Sequence, residues 1–294
     1  MIIKIIQLIA THSILPFSQM AIMLPMPRSG TLGNPQPYLP FGTFAGLSFW
    51  GGGLTLLAAA PGIGKTSWLL RMVYEACVSR HPAAIGCYEH TPQELRFRLF
   101  LQAEAQVGGP HAQPARNKAE AVLADASEAV LLGLNSQEDT VRALEDTLLH
   151  DYAFPAKGPA LVVVDYLNRV PVVGLTGRMN EEGRSGEAAA SLREMARRHD
   201  WAVIAAAALK SESFQEGEEL SALLGDERVP YEADRVVFVR RRGEVQACGC
   251  VSLEACTLKD RTAPPRHWPM QFWGAHFFPA LSNEFHRHVP SLFA

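Results

Sequence analysis

Eight residues, Ala59-Ala60-Pro61-Gly62-Ile63-Gly64-Lys65-Thr66, constrain this chain more than any other stretch. They follow an apolar run over residues 54–58 and precede a helical pattern over 67–78. A loop rich in glycine and proline between a buried strand and a helix is the context in which this spacing binds phosphate. Successive backbone N–H groups and the positive end of the helix surround the phosphates, and Gly62 and Gly64 let the backbone approach closely. Ala60, Pro61, Gly62, Ile63, Gly64, Lys65, Thr66 and Ser67 are therefore the expected nucleotide-binding residues. Lys65 would reach the β- and γ-phosphates, and the Thr66 hydroxyl would sit on Mg²⁺. Ala59 stands at the first position of the pattern, a tolerated replacement for glycine.

A chain of 294 residues can bury a substantial core as one large domain or two small ones. With 48% hydrophobic and 19% charged residues it is globular rather than disordered. The net charge of −3 gives no global attraction to nucleic acid, so any such binding must use a local patch. Five cysteines form no even-numbered framework, which suits a reducing cytoplasm. Cys248, Cys250 and Cys256 lack a fourth ligand at the usual spacing, so they read as thiols on a hairpin rather than a metal site.

The first residues are aliphatic, with Lys4 the only charge before Ala10. A secretory signal would need a clean cleavage site of small residues, and none follows. No stretch reaches the roughly 18–20 apolar residues of a membrane span. Met20, Met23 and Met26 permit a later start. Residues 1–40 are thus expected to be a poorly ordered extension, residues 41–294 the domain proper, and the compartment the cytoplasm.

Strands alternate with helices along the rest of the chain. Residues 83–89 read as a strand ending in Glu89, and Thr91-Pro92-Gln93-Glu94 as a helix start with a capping box. Helical patterns are expected over 118–132, 137–150 and 187–199. The run 160–164, ending at Asp165, and the run 201–208 read as strands buried on both faces. Strands over 235–239 and 245–258 are expected to join near Arg242-Gly243. The expected class is α/β, a mostly parallel sheet flanked by helices with a C-terminal antiparallel hairpin.

Phosphoryl transfer needs charge neutralisation and a positioned nucleophile. Asp165 ends a buried strand, where ligands gather in open parallel sheets, and would meet the Mg²⁺ held by Thr66. Glu89 could orient and deprotonate the attacking water. From position alone, an Asp merely ending a strand and a solvated Glu89 remain the competing readings.

The phosphate loop, Glu89 after a strand, and Val164-Asp165-Tyr166-Leu167-Asn168 resemble the RecA-type P-loop ATPase domain of DnaB-family replicative helicases. Glu232-Ala233-Asp234 before an apolar strand resembles that family's Asp-Ala-Asp, and Lys259-Asp260-Arg261 its Lys-x-Arg pair. The resemblance runs from about Phe41 to Leu281. It implies ATP and Mg²⁺ as ligands, Lys65 and Glu89 as catalytic residues, and Thr66 and Asp165 as metal holders. Lys259 and Arg261 would act as catalytic fingers on a neighbouring subunit's γ-phosphate, which implies a ring, six-membered as in the family.

Three departures concern the coupling to DNA. The family's γ-phosphate-sensing Gln falls on Ala208, and the Arg-Glu pair of its DNA loop on Leu224 and Gly225. Between Lys210 and Arg228 there are two basic residues against six acidic ones, and 174–187 offers only Arg178 and Arg184 against three glutamates. Phosphate contacts dominate strand affinity, so acid-rich loops argue against tight binding there. The primase-meeting N-terminal helical domain of the family is also expected to be absent. The leading expectation is a magnesium-dependent ring ATPase translocating on single-stranded DNA. The alternative is a KaiC-like or RadA-like ATPase that regulates or remodels a protein partner without unwinding DNA. A third expectation, disfavoured by Glu89 and the Lys-x-Arg pair, is a non-catalytic nucleotide switch.

Overall fold

The computed structural model describes residues 40–107, 117–121, 123, 129–172, 181–213, 219–247 and 249–282. All of them belong to the compact unit Tyr38–Ala294. The extension expected over 1–40 lies, apart from Pro40, outside the described residues.

A small antiparallel ribbon, β1 (Gly42–Phe44) and β2 (Leu47–Phe49), leads into the main sheet. The sheet strands in chain order are β3 (Leu54–Ala59), β4 (Ala83–Cys87), β5 (Val130–Gly133), β6 (Leu161–Asp165) and β7 (Ala202–Ala207). They continue with β8 (Arg235–Val245), β9 (Cys250–Asp260), β10 (His267–Trp273) and β11 (Phe278–Leu281). Across the sheet the order is β11-β10-β9-β8-β3-β7-β6-β4-β5. From β5 to β8 every pairing is parallel; β9, β10 and β11 add on antiparallel.

The helices are α1 (Lys65–Val78), α2 (Pro92–Gln106), α3 (Val141–His150), α4 (Glu181–His199) and the short α5 (Arg228–Glu232). The period-two geometry of β3 splits its side chains between two cores. Leu57 and Ala59 face the core built with α1 and α2, while Leu54, Leu56 and Ala58 face the one containing α4 and Trp201. Both faces are covered, which is why β3, β4, β6 and β7 are continuous apolar runs. Each fully buried Leu, Ile or Val here contributes about 2 kcal/mol.

Four expectations are corrected. Of the helical pattern expected over 118–132, residues 118–121 and 123 are helical, residues 122 and 124–128 lie outside the described residues, and the end is the edge strand β5. Val130-Leu131-Leu132 is a short apolar run, whose periodicity does not separate strand from helix. The hairpin turns at residues 246–249, where Gly249 has φ +78°, and Arg242 and Gly243 lie within β8. Two further strands, β10 and β11, widen the sheet beyond the expected hairpin. The helix expected over 137–150 begins at Val141, because Thr140 caps it by accepting from the Ala143 N–H at 3.2 Å. The capping box on α2 is as expected, Thr91 Oγ1 accepting from Glu94 N and Glu94 Oε2 from Thr91 N at 2.8 Å.

Candidate active site

The loop between β3 and α1 forms at the C-terminal end of the parallel strands. Gly62 (φ +78°) and Gly64 (φ +96°) both take left-handed conformations that L side chains rarely adopt. A Cβ on Gly64 would also stand 3.0 Å from the Phe272 ring. Gly64 caps α1 without a side-chain bond, and no acidic residue sits in the first turn. The leading N–H groups of α1 therefore meet no carboxylate of their own helix, the arrangement that receives an anion.

Lys65 folds back on its own loop, donating from Nζ to the carbonyls of Ala59 at 2.8 Å and Ala60 at 3.3 Å. Burial lowers its ammonium below the usual lysine value, while the charges of Asp165 and Glu89 raise it. Thr66 Oγ1 donates to Asp165 Oδ2 at 2.7 Å, although β7 lies between their strands in the sheet. Asp165 is 1% exposed and also accepts from the Cys87 thiol at 3.6 Å. Burial, then the charge of Asp165, pushes that thiol up to about 12, so it stays protonated and donates.

Lys65, Thr66, Ser67, Glu89 and Asp165 share one cleft of about 450 Å³ with Pro61, Gly62 and Gly64. Glu89 is exposed just past the end of β4. Ala60 and Ile63 do not line the cleft: Ala60 offers its carbonyl to Lys65, and Ile63 packs under the loop beside Trp68 and Phe272. The cleft also contains residues to which the sequence reading gave no role, namely Arg98 on α2 and Phe272 and Phe277 around the β10–β11 turn. Their neighbours lie far away in sequence, so no local pattern announces them. A larger groove of about 670 Å³ beside edge strand β5, lined by Pro82, Arg96, Val130 and Tyr152 among others, contains none of the expected site residues.

A hard-oxygen donor pair, one hydroxyl and one carboxylate, fits Mg²⁺, which takes one or two protein ligands and completes its shell with phosphate and water. Among the described residues no cluster of three or more His, Cys, Asp or Glu could hold a metal by itself, and Cys250 and Cys256 are buried. Among the described residues no helix is long and apolar enough to cross a membrane.

Lys259 and Arg261 stand apart from this cleft. Arg235 pairs with Thr55 at the start of β3 and with Asp260 of β9, so Lys259 and Arg261 belong to the opposite end of the sheet. Thr55 and Ala59 alone are separated by about 13 Å along the strand. Lys259 Nζ donates to the carbonyls of Pro230 (2.7 Å) and Tyr231 (3.1 Å) at the end of α5. Arg261 donates to Tyr231 O at 3.1 Å and pairs with Asp234 at 3.3 Å.

Asn168 occupies the end of the second motif. It donates to Ser185 Oγ of α4 (2.9 Å) and Leu224 O (3.0 Å) and accepts from Ala208 N (3.0 Å). The end of β7, the segment after it and α4 are thus fastened through one amide. Of the acid-rich loops, 173–180 and 214–218 lie outside the described residues. Arg228 is engaged by Asp226 at 2.8 Å and Glu187 at 3.4 Å.

Solved structures share this architecture. A DnaB-like replicative helicase, described together with its interactions with primase, superposes with a TM-score of 0.68 at 18% identity, covering 79% of this chain and 58% of that one. The ATPase domain of G40P gives 0.67 at 18% identity, covering 78% of this chain and 84% of that one. The RadB recombinase gives 0.52 at 18% identity, covering 82% of this chain and 98% of that one. The fold is RecA-like, and the chain spans little more than half the length of the first of these proteins. A search of curated proteins finds no match. The family model for the DnaB-like helicase C terminal domain matches residues 44–277, most of the chain and every candidate site residue. The chain belongs to the DnaB-like helicase C-terminal domain family.

Proposed function

We propose that this chain hydrolyses ATP with Mg²⁺, as a RecA-type ATPase domain over residues 41–294 that assembles into a ring, six-membered in the manner of its family. The observation that carries the reading is the Thr66–Asp165 hydrogen bond at 2.7 Å, set in one cleft with Lys65 and Glu89. Lys65 leaves its loop carbonyls for the β- and γ-phosphates. Thr66 and Asp165 hold Mg²⁺, which supplies neutralisation of phosphate charge when bound. Glu89 orients the attacking water and takes its proton. Lys259 and Arg261, remote from their own cleft, stabilise transition-state charge in the cleft of a neighbouring copy, a device worth about 10³–10⁵ in rate where characterised.

Translocation on single-stranded DNA is the reading that family membership favours. A second reading, an ATPase that regulates or remodels a protein partner, is favoured by Ala208. Its methyl side chain has no polar group with which to relay γ-phosphate, and Asn168 accepts from its backbone N–H. Steady-state ATPase with and without single-stranded DNA, alongside particle size, tests both. Stimulation by DNA together with a ring supports the motor. Turnover indifferent to DNA over a range of salt, with no strand bound, leaves the partner-directed ATPase. Absence of Mg²⁺-dependent turnover overturns the proposal.

A further inference from the structure

Arg98 lines the same cleft as Lys65, Glu89 and Asp165, yet it forms no ion pair with any of the described residues. Its guanidinium lies 4.7 Å from the centroid of the Phe277 ring, within cation–π reach. Glu94, one turn earlier on α2, feels the Arg98 charge but does not line the cleft, so a half-buried cation beside a site for polyphosphate has no carboxylate in ion-pair contact among the described residues. The cleft holds two carboxylates, Glu89 and Asp165, against Lys65 and Arg98. A Mg²⁺-bound triphosphate adds about two further negative charges, so Lys65 alone leaves the occupied cleft strongly anionic.

The seat of Arg98 is built rather than incidental. It belongs to α2, whose first turn is fixed by the Thr91–Glu94 capping box immediately after Glu89. One turn past Arg98, buried Gln102 donates from Nε2 both to Ser67 O of α1 (2.8 Å) and to Phe277 O (2.7 Å). This single amide ties the phosphate-loop helix, α2 and the β10–β11 turn together. Phe277 is held at φ +48°, a left-handed conformation that non-glycine residues rarely adopt and that the surrounding structure must sustain. That conformation sets its ring beneath the guanidinium at the cleft wall shared with Glu89 and His90.

We propose that Arg98 is a phosphate-binding residue supplied by the chain's own cleft, directed to the γ-phosphate end of a nucleoside triphosphate, and that Phe277 is its positioning residue. The γ-phosphate end follows from chain order, because α2 starts beside Glu89, where the attacking water stands. A guanidinium presents planar paired donors suited to phosphate oxygens, which a lysine would not reproduce. This rests on the ATPase reading above.

The test is equilibrium binding, to the full chain, of fluorescent ADP and of a non-hydrolysable fluorescent ATP analogue, each with Mg²⁺. Arg98→Ala should weaken the ATP analogue by about tenfold or more, as loss of a charge-assisted hydrogen bond implies, while ADP changes by less than about threefold. Arg98→Lys should recover part of the loss. Phe277→Leu should weaken the ATP analogue selectively, whereas Phe277→Tyr, which keeps a ring under the guanidinium, should match the parent. Thermal unfolding of each variant accompanies the binding. Equal losses for both nucleotides, or no loss for either, overturn the proposal. Lys65→Ala separates the two claims. If it abolishes binding while Arg98→Ala has no effect, the ATPase reading stands and only the role of Arg98 falls; if Lys65→Ala binds normally, the ATPase reading falls.

Discussion

Thr66 donates a 2.7 Å hydrogen bond to Asp165, and through it the first turn of α1 is tied to a strand two places away in the sheet. The same two oxygens are the ones proposed for Mg²⁺. Removing either should therefore raise the Mg²⁺ concentration needed for turnover more than it changes nucleotide affinity without metal. Thr66→Ala and Asp165→Asn are each expected to shift the Mg²⁺ midpoint at least about tenfold, the scale of losing one good interaction with an ion. A Mg²⁺ titration of ATPase rate reads this out; unchanged midpoints would remove both residues from the metal shell.

Glu89 is exposed at the mouth of the cleft, and its side chain makes no hydrogen bond among the described residues. Glu89→Gln should keep ATP affinity within about twofold and lower kcat by about 10²–10⁴, the usual share of a positioned base. Single-turnover rates with saturating ATP decide the matter. A variant that turns over at the parental rate is incompatible with Glu89 as the base.

The distance of Arg261 from its own cleft leads to a complementation experiment. Arg261→Ala should bind nucleotide normally and lose turnover, while Lys65→Ala should not bind at all. Mixed together, the two proteins should regain part of the activity, because an intact cleft can meet an intact finger at some interfaces. Activity that never rises above that of the separate variants would show that the fingers do not act between subunits.

Arg235 and Asp260 form a pair at 2.8 Å with side chains 3% and 2% exposed. Burial alone would raise the Asp260 carboxyl, but hydrogen bonds from Thr262 and the nearby Arg235 charge outweigh it and hold the carboxyl below its usual value. The pair's contribution is therefore complete above the unfolded carboxyl value near pH 4 and is lost as pH falls through the lower folded value. Asp260→Asn strands a buried guanidinium and should cost about 3–5 kcal/mol at neutral pH. Urea unfolding of parent and variant at pH 7 and near pH 3 should show the gap narrowing in acid. A gap independent of pH contradicts the assignment.

Asn168→Ala removes one amide that serves three partners, Ser185, Leu224 and Ala208. The expected loss is about 1–3 kcal/mol, the cost of leaving partly buried polar groups unpaired. Denaturant melts measure it. A variant as stable as the parent would mean that water replaces the amide without penalty.

The strands that position the site are legible because a parallel strand covered on both faces must be apolar throughout; β3 runs into the phosphate loop, β4 ends just before Glu89 and β6 ends at Asp165. Lys65, Thr66, Glu89 and Asp165 follow from those strand ends, and the fold brings all four into one cleft. Strand β5 is not legible as a strand, because four residues at a sheet edge carry no periodicity of their own. Strands β10 and β11 escaped notice because Pro269 and Pro279, residues depleted in strands, sit within them. Arg98 and Phe277 were illegible for a different reason: what makes them part of the site is Gln102 bonded to Phe277 across 175 residues, a relation no local pattern encodes.

The cleft closes one end of the sheet, and Lys259 with Arg261 marks the other. Under the proposed function the cleft is a head for phosphate and the other end a tail, whose cations would have to leave the Tyr231 carbonyl and Asp234 to serve a neighbour. In the proposed ring, copies would meet head to tail, through two dissimilar patches rather than one patch meeting itself. Contacts of that kind close into a circle or run on as a filament according to the rotation between neighbours. On this view, the turn between adjacent subunits decides whether the tail cations of the last subunit find the head of the first.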